Sequence, residues 1–194
     1  MIITYKVNNN IYINLTNRCS NACGFCVRNY GDFGEYNLWL PREPEAEEVI
    51  AELGNLDDIG EVVFCGYGEP IYRLDEILKI SDYVHSKGKK TRLNTNGQGS
   101  LIHPEVDVPK LLEGKVDIVS ISLNAATAEQ YNKICRSEFG KEAFDALIEF
   151  GKECVKYIPR VIFTVVDIIG SEEIERAAKI AKDAGAEFRV RKQL

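Results

Sequence analysis

Three cysteines, Cys19, Cys23 and Cys26, share one short stretch, Asn17-Arg-Cys-Ser-Asn-Ala-Cys-Gly-Phe-Cys26, with the spacing C-x3-C-x2-C. Thiolates at that spacing can converge on a metal, but three is an odd number to offer. A structural zinc site closes with four ligands, usually drawn from C-x2-C pairs. None of Cys65, Cys135, Cys154, His85 or His103 stands in a second such pair. A cubane [4Fe–4S] cluster also takes four ligands, so three thiolates leave one iron open to something other than protein. A disulfide framework fits worse. The start, Met1-Ile-Ile-Thr-Tyr-Lys6, lacks the apolar core of a signal peptide, and a chain of this size has no need of staples. Reduced thiols in the cytoplasm are the expectation.

Further polar groups recur at intervals. Cys65-Gly-Tyr-Gly-Glu-Pro70 offers two glycines, Gly66 and Gly68, that let a ligand approach the backbone, and an anion in Glu69. Leu93-Asn-Thr-Asn-Gly97 holds Thr95 and Asn96, which either bind a ligand or make a turn at Asn96-Gly97. In Ser120-Ile-Ser-Leu-Asn124, Ser122 and Asn124 would alternate onto one face of a strand. Within the cysteine loop, Gly24 is expected to supply unusual dihedrals. Asn14, Asn17, Arg18 and Asn21 would donate to sulfides or to neighbouring carbonyls. Cys65, Cys135 and Cys154 read as packing residues, with Cys65 best placed to reach a site. His85 and His103 have no partner motif, and Trp39 lies in the segment Gly31 to Leu40 between the cysteines and the first helix.

The elements that must position these groups alternate along the chain. Strands are expected at Ile11 to Leu15, Glu61 to Cys65, Lys90 to Thr95, Asp117 to Leu123, Arg160 to Val166 and Glu187 to Arg191. Helices are expected at Glu45 to Leu53 behind Pro44, Leu74 to Ser86 stopping at Gly88, Thr127 to Cys135 with a Thr127/Gln130 capping box, and Lys141 to Tyr157. A last one, Ser171 to Ala184, would start from a capping serine, and only His103 to Gly114 looks short and irregular. Such alternation implies right-handed βαβ units on a parallel sheet, either doubly wound or a partial barrel, with ligands at the carboxyl ends of strands.

Composition narrows the class. The chain has 194 residues, 45% hydrophobic and 28% charged, which suits a single domain over 1–194. No apolar run is long enough for a membrane span. The net charge of −6 argues against nucleic acid as main partner. The basic runs Lys87 to Arg92 and Arg189 to Lys192 read as solvated element ends.

The C-x3-C-x2-C loop, with Phe25 before its third cysteine, resembles the signature of the radical S-adenosylmethionine (SAM) superfamily. Gly66-Tyr-Gly-Glu-Pro70 resembles that family's G-G-E-P motif, with Tyr67 in place of a glycine. Thr95-Asn-Gly97 and Ser122-Leu-Asn124 are similar to its T-N-G and S-L-D segments. The likeness runs from Ile11 to Lys192 and is nearest to the short TatD-associated radical SAM proteins. It implies an α/β (β/α)6 partial TIM barrel with parallel strands. It also implies a [4Fe–4S] cluster on Cys19, Cys23 and Cys26 whose open iron is chelated by the amino and carboxylate groups of SAM. Phe25, Gly66, Gly68, Glu69, Thr95, Asn96, Ser122, Asn124 and Arg136 are the implied SAM contacts, with Val161 to Val166 beside the adenine and Asp167 near ribose or substrate. The implied reaction is reductive cleavage of SAM to methionine and a 5′-deoxyadenosyl radical that takes hydrogen from an unassigned substrate, with electrons from flavodoxin or ferredoxin. Three classes stay open: an enzyme acting on a small molecule, an activating enzyme acting on a protein, and a non-catalytic iron–sulfur protein.

Overall fold

The computed structural model describes residues 1–30 and 36–192. The segment around Trp39 therefore lies partly outside the described residues. One sheet holds β1 (Thr4–Val7), β2 (Asn10–Ile13), β3 (Glu61–Phe64), β4 (Lys90–Thr95), β5 (Ile118–Ser122), β6 (Arg160–Val166) and β7 (Glu187–Arg191), in that spatial order. All neighbours run parallel except β1, which pairs antiparallel with β2.

Parallel strands in sequence order decide between the two architectures. Each right-handed crossover steps the same way, so the helices collect on one face and the other face becomes concave. A doubly wound sheet would reverse its order at a switch point. The sheet is thus the expected partial barrel, with β1 added at one edge. That strand was not expected. Its signal is the alternation Thr4-Tyr-Lys-Val7 ahead of Asn8-Asn9, where Asn8 takes a φ of 53°, as a two-residue hairpin turn requires.

The crossover helices are α1 (Ala46–Leu53), α2 (Leu74–Ser86), the short α3 (Gly99–Ile102) and α4 (Val108–Leu111), α5 (Ala128–Cys135), α6 (Glu142–Tyr157) and α7 (Ser171–Asp183). Three starts differ from the sequence reading. Helix α1 begins one residue later than expected, at Ala46, with Glu45 as its cap in a reciprocal capping box with Glu48 and Pro44 outside the first turn. Gly170 precedes α7 and Ser171 gives no side-chain cap. At α5 Thr127 caps Gln130 N–H, while the Gln130 side chain accepts from Ala126 rather than completing the box. Lys87 and Gly88 end α2 as expected, with Gly88 at a φ of 68°.

Period-two alternation sorts the strand residues into two environments. Ile13, Phe64, Leu93, Ile121 and Phe163 are fully buried in the main core beneath the helices. The opposite residues face the concavity. In register there are Tyr12, Val63 and Arg92; then Asn94, Ser120 and Ile162; then Ser122, Thr164 and Arg189; and finally Val166 beside Arg191. The polar residues concentrate on that second face.

Candidate functional site

Just past the carboxyl end of β2 the chain enters the cysteine loop, which docks on the last turn of α5. Ala22 N–H donates to the Cys135 carbonyl at 2.9 Å and Gly24 N–H to that of Ile134 at 3.2 Å. Glu138 N–H returns the contact to the Ser20 carbonyl at 2.8 Å. Cys26 N–H reaches the Cys23 carbonyl at 3.2 Å, and the Asn29 amide holds the same carbonyl at 3.0 Å. Cys19, Cys23 and Cys26 are all unbridged and partly exposed. Burial pushes the Cys19 thiol up to about 12 and raises that of Cys26. The Cys23 thiol is raised chiefly by its hydrogen bond with Cys135, then by burial. Cys135 is fully buried in the main core, as expected of a packing residue. Gly24, by contrast, has no positive φ, so the loop does not use it for an unusual dihedral.

A buried polar network fixes the loop to the end of β4. Gln98, fully buried, accepts from Ser20 Oγ at 2.7 Å and Ser137 Oγ at 3.1 Å through Oε1. Its Nε2 donates to Asn21 Oδ1 and to the Tyr131 hydroxyl, both at 2.9 Å. Asn21 Nδ2 closes the ring on Tyr131 at 2.9 Å. Gln98 and Tyr131 were not singled out from the sequence, because nothing local marks a glutamine whose four partners come from distant segments. Asn14 and Asn17 behave as expected of donors to neighbouring carbonyls, reaching Leu38 and Leu40 at 2.7 Å each. Arg18 is an ion-pair partner of Glu43 at 2.7 Å.

The Gly66–Glu69 turn serves this loop too. A Cβ on Gly66 would overlap the Asn14 side chain; one on Gly68 would overlap the Thr16 carbonyl oxygen and stand 2.5 Å from that of Arg18. Glu69 N–H then bonds the Arg18 carbonyl at 2.7 Å. So the two glycines admit the protein's own loop. Glu69 is buried, its Oε2 accepting from Asn96 N–H at 2.7 Å and its Oε1 from Ile71 N–H at 3.2 Å. Burial pushes its carboxyl up to about 7, against hydrogen bonds from Asn96, Thr95 and Ile71 that lower it. Thr95 Oγ1 accepts from Gly97 N–H at 3.0 Å. Asn96 gives Nδ2 to Ser20 Oγ at 2.8 Å and takes Gln98 N–H on Oδ1 at 3.0 Å. Glu69, Thr95 and Asn96 thus have their side chains engaged within the protein. Tyr67, the departure from the motif, is buried with Tyr5 and Leu38, and Trp39 meets it edge-on at 5.3 Å. The added strand β1 supplies the company that lets a tyrosine stand there.

Ser122 ends β5 half-exposed on the concave face. Asn124 does not share its strand: it lies past β5 with a φ of 56°, and the expected alternation fails there. It is 4% exposed, its Nδ2 near the Cys135 sulfur at 3.7 Å and its Oδ1 buried without a partner. Arg136, exposed, caps α5 in the left-handed region, with its Nη2 3.9 Å from where a Gly24 Cβ would be. Phe25 is partly buried against the main core. Cys65 faces the concavity beside Asn94, while Cys154 lies on the buried face of α6. His85 bonds Asp117 at 2.9 Å and His103 bonds the Ile71 carbonyl at 2.8 Å, both as structural links.

A sequence model described as the Radical SAM superfamily matches residues 13–184, nearly the whole chain. The chain belongs to the Radical SAM superfamily. Among curated relatives, a protein named as a candidate glycyl-radical enzyme activating enzyme of Methanocaldococcus jannaschii is 25% identical over 171 residues, covering 85% of this chain and 65% of its own. A probable GTP 3′,8-cyclase of Thermococcus kodakarensis is 29% identical over 179 residues, covering 91% and 54%. The chain spans about half to two-thirds of these relatives' length. Among solved structures, Streptococcus suis SuiB bound to S-adenosylmethionine superposes with a TM-score of 0.68 at 17% identity, over 94% of this chain and 38% of that one. That likeness speaks for the radical SAM fold.

The family's cofactors, a [4Fe–4S] cluster and SAM, can be tested against the residues present. Three free thiols on one loop are the soft donors an iron–sulfur cluster takes. Among the described residues no group of three His, Cys, Asp or Glu side chains could hold a single metal ion; a cubane asks each thiolate for a separate iron. Beside the loop, Asn124 Oδ1 is a buried acceptor still lacking a donor. The donor set fits the group.

Proposed function

We propose that this radical SAM protein binds a [4Fe–4S] cluster through Cys19, Cys23 and Cys26 and cleaves SAM reductively to start hydrogen abstraction from a substrate. The observation that carries the reading is the pinning of this three-cysteine loop, by Gln98 and Tyr131, to the carboxyl ends of the strands, in a chain that matches the superfamily over residues 13–184. When bound, cluster and SAM would supply a one-electron cleavage giving methionine and a 5′-deoxyadenosyl radical.

The protein's own residues would do the rest. The loop backbone aims three thiolates together, and the network under it limits their wander. Gly66, Gly68 and Glu69 bring the β3 end against the loop, so that its backbone can meet the SAM amino group. Ser122, Asn124 and Arg136 would meet hydroxyl and carboxylate groups of SAM, with Phe25 bordering the cluster. Thr95 and Asn96 act by holding the β4 end in place. An external reductant such as flavodoxin or ferredoxin would deliver the electron, in the cytoplasm. Among the described residues no helix is long and apolar enough to cross a membrane. The short TatD-associated radical SAM proteins are the narrower group we infer, on the sequence likeness of the cysteine loop.

One relative favours a second reading. The likeness to a protein named as a candidate glycyl-radical activating enzyme supports a protein substrate in place of a small molecule. A glycyl radical on a partner, seen by electron paramagnetic resonance, would select it. The first test is anaerobic incubation of reconstituted protein with dithionite and SAM. The reading expects 5′-deoxyadenosine and methionine; an intact cluster that yields neither with any reductant or extract-derived substrate would leave a non-catalytic iron–sulfur protein.

A further inference from the structure

Arg189 and Arg191 read in the sequence as part of a solvated element end, but the register of β7 places them otherwise. Phe188 pairs with Phe163 and Val190 with Val165, on the helix-covered face; Arg189 pairs with Thr164 and Arg191 with Val166, on the concave face. Arg191 stands within electrostatic range of Cys65 and Cys23, which line the same end of the sheet. Its guanidinium is a permanent cation.

Two carboxylates on this face, Glu187 and Glu61, are engaged by other arginines. Glu187 gives both oxygens to Arg160, at 2.8 Å each. Glu61 stands 3.5 Å from Arg92, a third guanidinium on the same face whose buried Nε has no hydrogen bond. Burial raises the Cys65 thiol, so it stays neutral beside Arg191. Among the strand residues of the concave face, Arg92, Arg160, Arg189 and Arg191 thus outnumber Glu61 and Glu187, in a protein whose net charge is −6. Arg189 and Arg191 are exposed on the last strand of the sheet, so the open edge gives access. Alternate residues on a strand stand about 6.6 Å apart, which lets two guanidiniums clamp one oxyanion with paired hydrogen bonds.

We propose that Arg189 and Arg191 form an anion-binding end of the substrate chamber, and that the substrate is a molecule bearing an oxyanion group, phosphate or carboxylate, held there. The inference rests on the concave face being the reaction chamber of the proposed enzyme. It adds what the substrate must carry: the anion at the β7 edge, the remainder lying inward toward Ser120 and Ser122.

The test is calorimetric titration of the anaerobically reconstituted full chain with inorganic phosphate and, separately, with succinate. Binding of at least one is expected. Arg191→Gln and Arg189→Gln should each weaken it about tenfold, as loss of one charge-assisted contact would. Arg191→Lys should recover part, and Lys192→Gln, an exposed change outside the strand, should leave affinity unchanged. Preference for phosphate over succinate, or the reverse, assigns the group. Melting temperatures of the variants control for folding. The proposal is overturned if neither anion binds the cluster-loaded protein. It is equally overturned if both glutamine variants bind as tightly as the parent, or if Arg191→Gln alters only the cluster's absorption. Failure of the parent to make 5′-deoxyadenosine is a separate result that strikes the enzyme reading and leaves the anion measurement standing.

Discussion

Gln98 Nε2 donates to Asn21 Oδ1 at 2.9 Å, joining the end of β4 to the cysteine loop across 77 residues of chain. With Ser20, Ser137 and Tyr131 on its other bonds, one buried amide holds the loop that would carry the cluster.

Removing that amide should loosen the loop before it unfolds the barrel. Gln98→Ala leaves buried hydroxyl and amide groups without partners, an expected cost of about 2–4 kcal/mol. Thermal melting would read the loss. Cluster content after reconstitution should fall further than in an equally destabilised helix variant such as Ile80→Ala. Equal cluster retention in the two would show that the network serves stability alone.

Two glycines near the cysteines should respond oppositely to alanine. Gly68→Ala drives a Cβ into the backbone carbonyls of Thr16 and Arg18, where no side-chain rotation relieves it, and should cost about 3 kcal/mol or more. At Gly24 the nearest atom is 3.9 Å away and φ is not positive, so Gly24→Ala should stay within about 0.5 kcal/mol. Chemical denaturation of both variants gives the comparison.

Cluster binding should depend on Cys19, Cys23 and Cys26 one at a time. Alanine at any of them should abolish the iron–sulfur absorption and the production of 5′-deoxyadenosine, because a cubane left with two thiolates is poorly held. Cys154→Ala, on the buried face of α6, should keep both. Full absorption in Cys23→Ala would move the site elsewhere.

Ser122 tests where SAM lies. Its hydroxyl stands half-exposed at the carboxyl end of β5, and Ser122→Ala should weaken SAM binding by about 1 kcal/mol, the worth of one neutral hydrogen bond. Equilibrium binding to cluster-loaded protein measures it, and unchanged affinity would take Ser122 off the path.

Glu69 should give stability an acidic optimum. Its folded pKa of about 7 lies above the ordinary glutamate value of 4.5, so the folded state binds the extra proton between those values. The group's stabilisation is present below about pH 4.5 and is lost as pH rises through 7, a change of order 1–3 kcal/mol. Glu69→Gln cannot titrate and should flatten the fall in stability seen between pH 5 and 8. A parent and variant with parallel pH profiles would show that Glu69 is ionised throughout.

The sequence by itself determined the cysteine loop, the alternation of strands and helices, and the polar groups at strand ends, since each is written in local spacing and period. It also located β4, β6, β7 and α2 to the residue, because glycines and hydrophobic alternation bound them. What the local pattern could not contain was the partner of each polar group. Gly66 and Gly68 read as openings for a ligand, and only the fold shows Asn14, Thr16 and Arg18 filling that space. Asn96 reads equally as ligand or turn, and its bonds to Ser20 and Gln98 come from chain segments brought near by folding. Arg189 and Arg191 read as a solvated end until the register with β6 sets them on the concave face. Spacing fixes which face a residue takes within its own element; which face becomes the chamber depends on strands pairing over long range, and that is decided by tertiary structure.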